Sequence, residues 1–319
     1  MSNSQTPGSD SYSIEAEIPA NTKTYSQGQL VFRRFVRHKG AMASLIVLLF
    51  ITLTAITSIG VGPLPGWWDK DYTRATAVLD GGRPTIGFFS LGEHPFGQDT
   101  IGKDYFALVM RGTQISLLVA VTVGVLSTII GTIIGAVAGY MRGWIESILM
   151  RLTDLVIVIP LLALAAVIAK AASDQGVFVL ALVLAIVTWT GLARLVRGEV
   201  LSLREREFVA AARAVGTSPA RIIFKHILPN TIGVIIVSAT LSIASAILLE
   251  TSLSYLGFGV QSPDVSLGLL ISQYQNAFLT RPWLFWFPGI MILLIALSIN
   301  FIGDGLRDAF DPRQNRSKD

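Results

Sequence analysis

The chain of 319 residues contains no cysteine, so it can form neither a disulfide nor a thiolate metal site. Its three histidines, His38, His94 and His226, stand far apart and make no ligand-spaced pair. Charge is also scarce: 14% of the residues are Asp, Glu, Lys or Arg, against about 25% in an ordinary soluble domain. No Ser-His-Asp set, paired carboxylates or HExxH run is present, which argues against an enzyme. The net charge of +4 is small for a nucleic-acid partner. Apolar residues fill the space instead. With 52% hydrophobic residues and a mean hydropathy of +0.60, the composition is that of an integral membrane protein.

A helix needs about 20 apolar residues to cross a bilayer. Six runs are candidates: 41–60, 115–139, 152–169, 176–193, 232–255 and 283–302. The third and fourth are short and lie only Lys170 to Gln175 apart, which predicts a tight helical hairpin. Residues 1–29 are rich in Ser, Thr, Gln and Asn without an apolar period, and read as a disordered tail. The first apolar run begins near Ala41 and has no small-residue cleavage pattern, so it is not a signal peptide. Residues 30–40 form a basic amphipathic lead-in suited to the membrane interface. Eighteen of the 25 Lys and Arg residues fall on one side if the N-terminus is cytoplasmic. The positive-inside rule then puts both termini in the cytoplasm, with 303–319 as a cytoplasmic tail. Residues 61–114 become a long external insertion, with Trp67 and Trp68 at the interface, and 256–282 a second external segment.

Several local patterns invite a functional reading. Gly97 to Asp104 nearly matches a phosphate-binding loop, but Asp104 stands where a hydroxyl would hold magnesium and no strand precedes it. A turn followed by a short surface helix, Tyr105 to Met110, fits better. Gly124, Gly131, Gly135 and Gly139 put small residues on one face of the second span, as close helix packing requires. Ionisable groups in or beside the spans are few: Asp154, Glu250 and Asp304. Glu250 lies deepest. It is a candidate either for a structural network or for a pathway lining.

The stretch that organises the chain is polar and helix-prone and lies between two apolar spans, 199–230. Phe208, Ala211, Ala212 and Val215 fall at i, i+3, i+4 and i+7 and predict one apolar stripe on a short helix. Gly216 stands where a helix ends in a left-handed residue. Ser218-Pro219 reads as an N-cap followed by proline at the first helical position. A second amphipathic helix is expected over 220–228, broken by Pro229. On chemistry alone this elbow is either a docking element for a soluble partner or a linker on lipid headgroups.

Ala210-Ala211-Ala212, then Gly216, then Leu228-Pro229 resemble the cytoplasmic "EAA…G…LP" loop of ABC importer permeases. Ala210 stands where that family often has Glu, which leaves Glu207 to take up the contact. The runs His94 to Leu117 and Leu248 to Gly268 are similar to the C-type permease subunit of oligopeptide/dipeptide importers. The resemblance covers about 32–312 and implies an all-α type I permease fold of six spans. It implies a second permease subunit in a heterodimer, two cytoplasmic ATPase subunits that carry ATP and Mg, and an extracytoplasmic substrate-binding protein. This chain would hold no cofactor, perform no catalysis and sit in a bacterial inner membrane. The residues so implicated in ATPase coupling are Glu207, Ala211, Ala212, Arg213, Gly216, Ser218, Arg221 and Pro229. The alternative, an ion-coupled secondary transporter or channel subunit, would show repeated halves and more mid-membrane ionisable groups.

Overall fold

The computed structural model describes residues 26–87, 90–172 and 175–311. The expected N-terminal tail therefore lies outside the described residues up to position 25, as do 312–319 at the other end. The tail's last residues are not irregular. Ser26 caps α1 (Gln27–Arg37), and the Ser26 hydroxyl and the Gln29 side chain satisfy each other's backbone N–H groups. His38 links α1 to α2 (Lys39–Ile59): its Nδ1 accepts from Ala41 N. A two-residue hairpin, β1 (Gly60–Val61) and β2 (Leu64–Pro65), opens the long insertion that leads to α3.

The next helix, α3 (Tyr105–Met141), runs for 37 residues. At 1.5 Å per residue it is about 55 Å long, well beyond a hydrocarbon core of about 30 Å. The predicted boundary at 115 is thus corrected: there is no separate surface helix at 105–110, and Tyr105 to Met110 are buried. The polar residues 111–114 look like a break but find partners inside the fold. Thr113 Oγ1 donates to Val109 O at 2.8 Å, and Gln114 Nε2 donates to Ala55 O and Gly60 O at 2.7 and 2.9 Å. Arg111 reaches Asp264 at 3.7 Å and lies over the Tyr72 ring.

The predicted runs 152–169 and 176–193 are corrected too, since neither is a single helix. Helices α4 (Gly143–Val158) and α5 (Leu161–Ala172) meet at a 91° bend before Pro160, which cannot continue the hydrogen-bond ladder. Helices α6 (Val177–Thr188) and α7 (Thr190–Arg204) bend by 44° at Trp189. α5 and α6 pack side by side, as a hairpin would. The short α8 (Glu207–Ala214) follows. The predicted stop at Pro229 is also corrected. α9 (Pro219–Arg221), a π-helical stretch Ile222–Ile227 and α10 (Leu228–Tyr255) form one continuous 37-residue helix. Pro229 lies inside this helix, and the π-helical turn directly before it takes up the ladder bond that its missing N–H leaves open. α11 (Leu267–Tyr274) sits within the second predicted external segment, and α12 (Trp283–Phe310) completes the bundle, extending past the predicted end at 302. Among the described residues four helices are long and apolar enough to span a membrane, or up to six if each bent pair counts as one span.

The core has two parts. The larger gathers residues from α2, α3, α5, α6, α10, α11 and α12. The smaller lies at the C-terminal end of α3, between Ala136, Tyr140, Val196, Val200 and the elbow. α3 packs most extensively on α7, and the small-residue stripe explains how. An added Cβ at Gly131 would lie 2.8 Å from Trp189 O, and one at Gly139 would lie 2.8 Å from Arg197 O. Only glycine admits the two backbones at that distance.

Candidate functional site: the elbow and the two ends of α3

The elbow begins where α7 runs out at Arg204 and turns through Glu205 and Arg206 into α8. α8 ends in a Schellman motif. Thr217 N donates to Ala212 O at 3.1 Å and Gly216 N to Arg213 O at 3.0 Å, with Gly216 at φ +79°. The predicted left-handed glycine is therefore present. Ser218 has the extended backbone of an N-cap and Pro219 follows at the first helical position, but the Ser218 hydroxyl makes no cap bond.

The predicted single stripe splits in two. Val209 and Ala212 are buried, together with Ile222, Ile223 and Ile227, against Tyr140, Leu192 and Val200. Phe208, Ala211 and Val215 face outward, and Val215 is 82% exposed. Phe224, 60% exposed on the π turn, joins this outer face. Glu207, Arg213, Arg221 and Lys225 are exposed around it, and Pro229 is exposed at the far edge. A helix of eight residues thus carries apolar side chains on both faces. One face holds it to its own chain, and the other is an apolar patch with a charged rim, which fits a protein surface. Phe224 and the inward Val209 were outside the predicted stripe. The adjacent apolar pair Phe208-Val209 is the signal in the sequence that two faces are served, because neighbours on a helix point apart.

At the opposite end of α3 the loop from His94 to Asp104 is a polar hub. Asp104 caps α3 through Ala107 N at 2.9 Å, meets His94 Nδ1 at 2.7 Å and accepts from Trp68 Nε1 at 2.9 Å. Asp99 accepts from Ile101 N and Lys103 N at 2.9 and 2.8 Å, and from the Tyr274 hydroxyl at 2.9 Å. Gln98 donates to Thr76 Oγ1, Ala77 O and Gly102 O, all within 3.2 Å. The acids of the near phosphate loop are thus spent on backbone and ring donors and point no cradle at an anion. Burial, with Asp99 beside it, holds the Tyr274 hydroxyl well above its ordinary value of 10.0.

Glu250 is wholly buried. Its carboxylate accepts from Ser254 Oγ at 2.7 Å and Ser116 Oγ at 3.2 Å, and Ser116 in turn accepts from Leu267 N at 3.1 Å. It ties α3, α10 and α11 together and faces hydroxyls, not an opening. Asp154 is paired with Arg194, and Asp304 is exposed on α12. Among the described residues no group of three or more His, Asp or Glu gathers to hold a metal. An open cleft of about 540 Å³ lies where the α4–α5 bend meets α10, lined by Pro160, Thr188, Ser238, Ser242 and Ser245 among apolar neighbours.

Residues 131–316 match the family model described as "Binding-protein-dependent transport system inner membrane component". The chain belongs to this family. It is a membrane permease subunit of an ABC importer, and not itself an enzyme. Residues 26–74 also match the model "N-terminal TM domain of oligopeptide transport permease C". The permease is 40% identical over 294 residues to the oligopeptide transport system permease protein OppC of Mycobacterium tuberculosis, a match that covers 91% of this chain and 96% of that protein. It is also 40% identical over 284 residues to OppC of Salmonella typhimurium, covering 88% and 89% of the two chains. The permease is a multi-pass inner-membrane protein with the type I fold, and such importers are in general assembled from partner permease, ATPase and substrate-binding subunits.

Proposed function

We propose that this permease imports di- or oligopeptides, or a peptide-like solute, and that its elbow is the element gripped by a cytoplasmic ATPase subunit. The observation that carries the coupling role is the outward face of Phe208, Ala211, Val215 and Phe224, an apolar patch left open beside a charged rim. The names of the relatives support the solute class. Both termini and the elbow are cytoplasmic in this reading, as the Lys and Arg distribution favours. ATP and Mg reside on two ATPase subunits, and the second permease subunit is a different chain of similar fold.

The parts divide as follows. Ala211 and Phe208 give close approach to the ATPase, while Glu207, Arg213 and Arg221 supply polar contacts at the rim. Gly216 sets the angle between α8 and α9, and Ser218 and Pro229 bound the second arm. Ala212 takes part from within, by fixing α8 on its own chain. The cleft beside Pro160 contributes hydroxyls and no charge to the solute path. Closure of the ATPase dimer moves the elbow, and its contacts differ in free energy between the two states, as any such switch requires.

The absence of native cysteine makes the test clean. A cysteine at Ala211 and one in the groove of the ATPase subunit should crosslink in membranes, with a yield that changes when ATP is added. No crosslink from Phe208, Ala211 or Val215, in a complex that still contains the ATPase, would remove the elbow from the coupling role.

A further inference from the structure

Helix α4 is loosely packed within its own chain. Thr153 is its only buried residue among those described, and Trp144, Ile148, Leu155 and Val158 are 73%, 57%, 68% and 81% exposed. Apolar contact within this chain therefore contributes little to its position. Both of its ends are jointed. At the start, Arg142 and Gly143 both have positive φ, +55° and +63°, and at the end the chain turns 91° into α5. Between the joints α4 meets α7 through charge. Glu146 Oε1 accepts from Arg197 Nε at 2.8 Å and also from its Nη2, Arg194 pairs with Asp154, and Arg142 lies 3.5 Å from Glu205. The order is antiparallel: 142 with 205, 146 with 197, 154 with 194. The opposite face of α7 is locked onto the α3 glycines, and its C-terminus leads into the elbow after two residues.

We propose that this row of ion pairs, centred on Glu146 and Arg197, is the tether through which elbow motion reaches the bent α4–α5 span. The proposal rests on the elbow being the ATPase contact. Two-donor contact from one guanidinium fixes orientation as well as distance. Glu146 is 18% exposed at its side chain, the most enclosed carboxylate of the three, so its pair is the least screened. An apolar contact slides when helices shift, whereas a charge in surroundings of low dielectric resists separation from its partner. A helix jointed at both ends and clasped in the middle follows the helix that clasps it. Glu146 and Arg197 are positioning residues: they touch no solute and set where α4 stands.

The test uses the full complex, with its partner permease, ATPases and binding protein, in liposomes. Spin labels are placed on cysteines at Ile101 and Val215 in one preparation, and at Ile101 and Ile148 in another; all three positions are exposed. In the otherwise unaltered chain, ATP with vanadate should shift both distances. Glu146→Arg should preserve the shift at Val215 and abolish the shift at Ile148. The double exchange Glu146→Arg with Arg197→Glu should restore it. Where the reversed charge lowers assembly, Glu146→Gln keeps the shape and should reduce the Ile148 shift while the Val215 shift persists. A full Ile148 shift in Glu146→Arg or Glu146→Gln overturns the tether, and so does a double exchange that assembles without restoring it. A Val215 distance that ignores nucleotide in the unaltered chain overturns the elbow reading instead, and the tether with it.

Discussion

The two ends of α3 are built on opposite principles. At its N-terminal end the two acids of the loop are answered within the chain: Asp104 by Ala107 N, His94 and Trp68, and Asp99 by backbone and Tyr274. Phe96 stacks on Phe287 at 3.9 Å, and the Tyr105 hydroxyl donates to Leu284 O, so the hub is tied to α12 as well. At the C-terminal end a small apolar cluster holds the elbow from one side and leaves Phe208, Val215 and Phe224 uncovered on the other. The hub spends its acids on its own chain, whereas the elbow keeps an apolar face open, the face to which the proposed ATPase contact is assigned.

This contrast can be broken by experiment. Asp104→Ala should have the largest effect. It removes the α3 cap and leaves buried His94 and half-buried Trp68 without that acceptor, a loss of about 3 kcal/mol. Thermal unfolding of the detergent-solubilised permease measures it, and an unchanged midpoint would mean that the hub is not the rigid end. Gly135→Val comes next, since even its Cβ would lie 2.9 Å from Val196 Cβ. Overpacking of this kind costs about 1–3 kcal/mol, and the same melt should show it.

Tyr274 sharpens the comparison through pH. Its folded pKa is raised, so ionisation favours the unfolded state once pH passes the ordinary tyrosine value of 10.0. The stability it contributes is fully present below that pH and is lost as pH rises above it. Tyr274→Phe should cost about 1 kcal/mol at neutral pH and flatten this alkaline slope. The smallest effect on stability belongs to Val215→Ser, within about 0.5 kcal/mol, yet it should reduce co-purification of the ATPase. A large loss of stability there would mean that the outer elbow face serves the fold.

The apolar helices were legible because an apolar run of sufficient length has few alternatives in this composition: α2 stays within two residues of its run, while α10 and α12 share one end with theirs, at 255 and 283, and run on beyond the other. The misread boundaries have two causes. Arg111 and Gln114 look like a helix end in the sequence, but their partners, Asp264, Ala55 and Gly60, lie far away along the chain. Pro229 looks like a break until the π turn before it is seen. In the elbow, Gly216 could be placed from local chemistry. The division of its apolar residues between two faces depends on α3 and α7, which periodicity within eight residues does not report. The Asp99–Tyr274 bond, which joins residues 175 apart, left no local mark.

The length of α3 has a mechanical consequence. A continuous helix of about 55 Å that pivots at one end carries its other end about 5 Å for every 5° of tilt. Were the hub such a fulcrum, the close packing on the glycine face would carry α7 along with the arm. A rotation too slight to disturb the packing beside Asp104 becomes, at Tyr140, a displacement of about one helical turn.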